Sequence, residues 1–228
     1  MNHSARRINA LAAGLGARRY LEIGVAHGTT FRDVALPHRT AVDPAFQFDT
    51  AALANPRTRF FQRTSDAFFA DEPLAPPYDV VFLDGLHRFE QVVRDFSNAI
   101  VRTRRRSVIV LDDTVPTTEY SALPDQDAAR RHRDAAGIKD VAWHGDAFKM
   151  VFYIHDFWPS LNYRTISGSG NPQTLVWRST AGVRAPRFDN LESISRLSFF
   201  DMRDHWELMR AATEEEAIAL CLAEIGPA

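Results

Sequence analysis

The chain has 228 residues, 45% of them hydrophobic and 25% charged, with a formal net charge of -2 at pH 7. That is enough apolar material for one full core, and the near-neutral balance argues against nucleic acid or an anionic membrane surface as a partner. The single cysteine, Cys221, excludes an intramolecular disulfide and a cysteine-built zinc cage; with no signal-like or membrane-spanning apolar run, the sequence reads as cytoplasmic.

Ser4 to Leu15 has apolar residues at helical spacing and predicts a helix before a first strand, Arg19 to Ile23. Gly24 to Gly28 form a turn, and Thr29 to Val34 open the next helix. Thr40-Ala41-Val42-Asp43-Pro44 reads as a second strand stopped by proline. A third strand is expected at Arg59 to Arg63, then a short helix, Ser65 to Ala70, with Ser65 as its cap. The loop Pro73 to Pro77 feeds a fourth strand, Tyr78 to Leu83. Arg88 to Val101 sets Phe89, Val92, Val93, Phe96 and Ile100 on one face of an amphipathic helix. The dense basic cluster Arg102, Arg104, Arg105 and Arg106 reads as a solvated helix end before a fifth strand, Val108 to Leu111.

Beyond Asp113 the pattern changes. Thr114 to Gly137 is polar, a long loop with a helix around Asp125 to Ala136. Lys149 to Ile154 and Gln173 to Trp177 read as two more strands, joined by a connection containing Gly168, Ser169, Gly170 and Asn171. Ile194 to Leu222 is largely helical, with Glu214, Glu215 and Glu216 opening the last helix. This alternation predicts an α/β fold: a doubly wound, mostly parallel seven-stranded sheet ending in an antiparallel hairpin. Residues 1–180 form that domain, and residues 181–228 a helical extension packed on it or at an oligomer interface.

Three strand ends carry acids: Glu22 in YLEIGVAHG, Asp84 in VVFLDGLH, and Asp112 with Asp113 in VIVLDD. A parallel sheet collects its ligands at the carboxyl ends of its strands, so these acids are candidates for one shared site. Gly24 and Gly28 let the backbone take angles or close approaches that side chains would block. The spacing is G-x-x-x-G, not the dinucleotide G-x-G-x-x-G, and a carboxylate at Glu22 would repel phosphate but suits an amine or sulfonium. Asp43 is placed to accept hydrogen bonds from ribose hydroxyls. The plain alternative makes the glycines ordinary turn residues and Asp43 a helix cap.

Together these features resemble the class I S-adenosylmethionine-dependent methyltransferases, from about Arg19 to Trp177. Ala26 stands where many members have a middle glycine. The resemblance implies that Glu22, Gly24 and Gly28 line the methionine moiety, that Asp43 binds the ribose, and that Ser65 and Asp66 lie near adenine. YLEIGVAHGTTF with FLDGLHRFEQVVRDF is similar to the subfamily labelled methyltransferase 24.

Asp84, Asp112 and Asp113 end adjacent strands in this reading. Three converging carboxylates repel unless protons or a cation compensate, and a hard divalent ion such as Mg²⁺ is a natural partner. They also resemble the metal ligands of catechol O-methyltransferase-like enzymes, which implies an ion that activates an acceptor hydroxyl. Alternatively, Asp84 and Asp112 cap loops or bind substrate without an ion. His87, three residues after Asp84, stands where the catechol-type pattern has a basic residue and is a candidate general base beside Asp84; a hydrogen-bonded helix-start histidine is the alternative. His144, Asp146, Lys149, His155 and Asp156 are candidates for the substrate side.

The expected function is S-adenosylmethionine-dependent O-methylation of a small hydroxylated acceptor such as a sugar, catechol or natural product. A metal-independent methyltransferase and a non-catalytic cofactor-binding module stay open, the latter using Phe199, Phe200 and Trp206 for a homo-oligomer contact. A nicotinamide-dependent oxidoreductase is disfavoured by the glycine spacing.

Overall fold

Every strand from the first to the fifth ends at the same edge of one sheet, because each crossover, helical or not, returns the chain in parallel. The computed structural model describes residues 2–74, 76–179 and 184–226. Ala75 in the proline-rich loop and the 180/181 division fall outside these. Asn2 caps α1 (His3–Leu15) by accepting from the Ala5 N–H. There follow β1 (Arg19–Ile23), α2 (Thr29–Asp33), β2 (His38–Val42), β3 (Thr58–Phe61), α3 (Ser65–Asp71), β4 (Tyr78–Leu83), α4 (Phe89–Ile100) and β5 (Thr103–Leu111). The second half holds α5 (Gln126–Ala135), α6 (Lys149–Phe157), β6 (Leu161–Ile166), β7 (Gln173–Arg178), α7 (Leu191–Ser195), α8 (Phe199–Asp204), a 3-10 turn (Trp206–Met209), β8 (Ala211–Ala212) and α9 (Glu214–Ile225).

The sheet order is β3-β2-β1-β4-β5-β7-β6-β8. β1 to β5 are parallel, β7 runs antiparallel to β5 and β6, and β8 is parallel to β6. From β1 the chain winds outward to β3 and then returns to set β4 on the other side of β1. The crevice between β1 and β4 is therefore the point where strand order reverses, the usual ligand site of such sheets.

β4 is buried along its whole length, which explains its unbroken apolar run. Its alternation divides the core into two layers. Val81 and Leu83 pack with Phe89, Phe96 and Phe152 on one face. Val80 and Phe82 pack with Ile8, Leu11, Phe31 and Cys221 on the other. α9 closes that second layer against α1, β6 and β7.

Four expectations are corrected. Lys149 to Ile154 is not a strand but part of α6, and the first hairpin strand is β6, Leu161–Ile166. The apolar residues of α6 are buried nearly all round, so no helical stripe distinguishes it from a buried strand. The sheet has an eighth, two-residue strand in addition to the seven expected. The arginine cluster is not a helix end: Arg104, Arg105 and Arg106 lie in β5. Arg102 is buried, its guanidinium donating to the carbonyls of Phe69, Glu72 and Pro73 at 2.8–2.9 Å. Finally, Thr64 caps α3 by accepting from Ala67 N, and Ser65 is already helical.

Candidate active site

Glu22 and Tyr20 share one side of β1 because side chains two apart on a strand point the same way. Tyr20 donates its hydroxyl to Glu22 at 2.6 Å, and Glu22 is 1% exposed. Burial pushes the Glu22 carboxyl up to about 8, against the Tyr20 hydrogen bond. Period-two spacing was the signal for Tyr20, which the sequence reading did not single out.

After Ile23 the chain turns through Gly24 (φ +83), Ala26 (φ 43) and Gly28 (φ 71). Ala26 thus adopts the left-handed conformation itself, in place of a middle glycine. At Gly24 the demand for glycine comes from the protein: a Cβ there would lie 1.9 Å from the Asp84 carbonyl oxygen. β1 and β4 touch at this residue. Asp43, at the end of β2, organises the turn. Its Oδ2 accepts from the Val25 and Ala26 N–H groups, both at 2.8 Å, and its Oδ1 accepts from Ala45 N at 2.7 Å. The turn is therefore held by backbone donors on a buried carboxylate.

The ends of β4 and β5 are built differently. His87 Nε2 lies 3.2 Å from Asp113 Oδ2 and 3.9 Å from Asp84 Oδ1. Asp113 has left-handed backbone, φ 56, and turns away from its neighbour Asp112. Asp112 accepts from Asn171 Nδ2 (2.7 Å) and Gln173 Nε2 (2.9 Å) on the hairpin. Burial, then the charges of Asp112 and Asp113, hold Asp84 well above the usual carboxylate range. Burial likewise raises Asp112 and Asp113 to about 6, with the Asp113 charge adding at Asp112. Burial also pushes the His87 imidazole below its ordinary value, against the Asp112 charge.

The segment from Trp143 to Asp146 clamps this cluster. The Trp143 ring meets His87 edge-on at 5.4 Å and donates through Nε1 to the Leu123 carbonyl. A Cβ at Gly145 would lie 1.8 Å from the His87 carbonyl oxygen, so residue 145 must be glycine for the segment to press this close. Asp146 N donates to that same carbonyl, and Asp146 Oδ1 accepts from Phe89 N at the start of α4. His144, 4% exposed, sits with Nε2 4.0 Å from Asp113 Oδ1, and its Nδ1 is buried without a hydrogen-bond partner.

A cavity of about 680 Å³ joins the two halves; its walls include Glu22, Gly24, Ala26, Asp43, Asp84, His87 and Trp143. Asp84, His87 and Asp113 each offer a ligand atom within 4.8 Å of the others. The raised carboxyls of Asp84 and Asp113 fit a divalent ion, with His87 Nε2 at their edge. Of the expected trio, Asp84 and Asp113 lie in this cluster with His87, while Asp112 accepts from the hairpin amides. Gly28 begins α2. Ser65 and Asp66 are not among the residues lining the cavity; both accept from Gln91 Nε2 on α4 (3.1 and 3.2 Å).

Of the other substrate-side candidates, Lys149 pairs with Asp146 at 2.8 Å and donates to Ser195 O. His155 bonds the Tyr163 hydroxyl, and Asp156 accepts from Arg187 N and Phe188 N. These are contacts within the fold, and none of the four lines the cavity.

Residues 21–114, from within β1 to just past the Asp112-Asp113 pair, match the family described as "Methyltransferase domain". The segment from β1 to the end of β5 is thus similar to a methyltransferase domain. The chain also aligns with solved structures. With the O-methyltransferase TomG from Streptomyces achromogenes, involved in tomaymycin synthesis and solved in complex with SAM, it shares 21% identity at a TM-score of 0.52. The alignment covers 76% of this chain and 78% of that one. An O-methyltransferase from Bacillus cereus in complex with SAH aligns at a TM-score of 0.51 and 16% identity, over 78% and 82% of the two chains. Cofactor-bound Rv0187 from MTB aligns at 0.51 and 21%, over 81% and 82%. At these identities the chain shares the fold with all three. No curated protein matches the sequence. Among the described residues no helix is long and apolar enough to cross a membrane. Trp143, His144 and Gly145 lie outside the matched segment, so their part in the site emerges only from the geometry.

Proposed function

We propose that the protein methylates a hydroxyl of a small acceptor using S-adenosylmethionine, with a divalent ion at Asp84 and Asp113. The observation that carries this reading is one cavity bordered by a preorganised glycine turn and by a cluster of crowded carboxylates. S-adenosylmethionine, when bound, supplies a methyl group on a sulfonium; a divalent ion supplies Lewis acidity to an acceptor hydroxyl.

In this reading the turn from Gly24 to Gly28 and the buried carboxylate of Glu22 hold the cationic methionine end. Asp43 shapes that turn and offers its remaining lone pairs to ribose hydroxyls. Ser65 and Asp66 border the adenine side, with Gln91 holding the pair. Asp84 and Asp113 bind the ion, Asp112 sets the position of its neighbour, and His87 takes the hydroxyl proton at Nε2. Burial keeps this imidazole neutral near pH 7, as a base requires. Residues 1–180 constitute the cofactor-binding domain and 181–228 its extension, supported by the packing of α9 on α1 and of β8 on β6.

Calorimetric titrations with S-adenosylmethionine and with NAD, each in Mg²⁺ and in excess chelator, test the proposal. Binding of S-adenosylmethionine alone, in both media, is the expected result; binding of NAD in its place would overturn it. Once an acceptor is in hand, full turnover in excess chelator would remove the ion from the proposal.

A further inference from the structure

We infer that the methyl acceptor carries an anionic group, a carboxylate or a phosphate, and that Arg130 and Arg133 receive it in a subsite beside the reacting cavity. The inference rests on the methyltransferase reading and specifies the acceptor class for that site.

A second cavity of about 290 Å³ adjoins the first. Gln126, Val141 and Trp143 line both. Trp143 is the partition: one edge of the indole meets His87, and its Nε1 is tied to Leu123 O, so the wall is fixed in place. A molecule lying along this wall has one end at His87 and the other in the second cavity.

The charges of the two cavities are opposed. Acids lining the first include Glu22, Asp43 and Asp84, and among the described residues no lysine or arginine lines it. The second is lined by Arg130 and Arg133, with Asp127 as its acid. Gln126, Arg130 and Arg133 recur at three- and four-residue steps, so α5 turns one face to the cavity. Arg131, on the same helix, lines neither cavity.

Arg133 keeps only 17% of its side chain exposed, yet it pairs with Asp134, whose side chain is 62% exposed. Arg130 pairs with Asp127 across two exposed side chains. Pairs of this kind contribute little and exchange readily. A carboxylate or phosphate arriving from the cavity can take both guanidinium forks in geometry that suits them. The opposite end of the acceptor is then left for its hydroxyl, beside Asp84, Asp113 and His87.

The test uses the full chain in Mg²⁺ with two matched pairs of probes: 3,4-dihydroxybenzoate against catechol, and glucose 6-phosphate against glucose. S-adenosylhomocysteine is titrated first, then each probe by calorimetry on wild type, Arg133→Gln, Arg130→Gln and the control Arg131→Gln. The expected result is that the anion of at least one pair binds about tenfold or more tighter than its neutral partner. That preference should be largely lost in Arg133→Gln or Arg130→Gln and kept in Arg131→Gln. The pair that responds identifies the anion as carboxylate or phosphate. Failure of S-adenosylhomocysteine to bind would overturn the methyltransferase reading and the subsite with it. With the cofactor product bound, no saturable anion binding, equal affinity within both pairs, or a preference unchanged in both arginine variants would overturn the subsite alone.

Discussion

The two halves of the crevice solve the same problem, a carboxylate at a strand end, in opposite ways. At β2 the Asp43 carboxylate is met by three backbone N–H groups from Val25, Ala26 and Ala45. At β4 and β5 the carboxylates of Asp84, Asp112 and Asp113 crowd one another, and their pKa values rise. The contrast teaches that backbone donors can complete one half within the fold, whereas the other is balanced only by protons or an added cation. The first half is preorganised without ligand. The second is held at an electrostatic cost until positive charge arrives.

The harshest way to break this division is at the seam. Gly24→Val places a Cβ against the Asp84 carbonyl, and a residue at φ +83 is strained besides. We expect a loss of about 4 kcal/mol or more, seen as insoluble or unfolded protein by circular dichroism. A folded Gly24→Val with wild-type thermal stability would show that the strand ends do not meet as described.

His87→Ala sharpens the acidic half. Turnover should fall by about 10²–10⁴-fold with S-adenosylmethionine affinity little changed, as for loss of a positioned base. Loss of cofactor affinity with unchanged kcat would transfer His87 to the other half.

Asp43→Ala tests the preorganised half. It strands the Val25, Ala26 and Ala45 N–H groups and should cost about 3 kcal/mol in denaturant unfolding. S-adenosylmethionine affinity should fall by about tenfold or more as the turn loosens. Wild-type stability with weakened binding would make Asp43 a direct ligand and not an organiser of the turn.

The smallest effect belongs to Ala26→Gly. A non-glycine residue at φ 43 costs about 1–2 kcal/mol, and the freer unfolded glycine chain takes back part of the gain. A net stabilisation of at most about 1 kcal/mol is expected in chemical denaturation; a marked destabilisation would contradict the assigned backbone.

The legibility of the sequence follows the same division. β1 and β4 were readable to the residue, because short apolar runs bounded by glycine, proline and acids have few other interpretations in an alternating chain. α6 was not. Met150, Val151, Phe152 and Ile154 are all buried, and a segment surrounded by core has no polar face to reveal its period. β6 was hidden for the converse reason. Asn162 interrupts its apolar pattern and is accommodated by Glu224, sixty-two residues away on α9. The acidic strand ends could be gathered into one site from topology alone. That Asp112 bonds to the hairpin amides while His87 approaches Asp113 depends on Asn171 and Gln173, and on the clamp from Trp143 to Asp146, which are remote contacts without a local signature.

The central claim is that the β4–β5 half lacks compensating positive charge, and thermal unfolding across pH tests it most directly. Asp112 and Asp113 at about 6 lie above their ordinary value of 3.8, and Asp84 is held well above it too. The native state therefore binds more protons than the unfolded state in this range. Their contribution is fully present below about pH 4 and is lost as pH rises through 6 and above. In excess chelator, the melting temperature should fall between about pH 5 and pH 8.5. Mg²⁺ or Mn²⁺ should restore it at the alkaline end and do little near pH 5, where protons already occupy the cluster. A melting temperature that rises with pH across this range in chelator, and is unmoved by either ion at pH 8.5, would contradict the account.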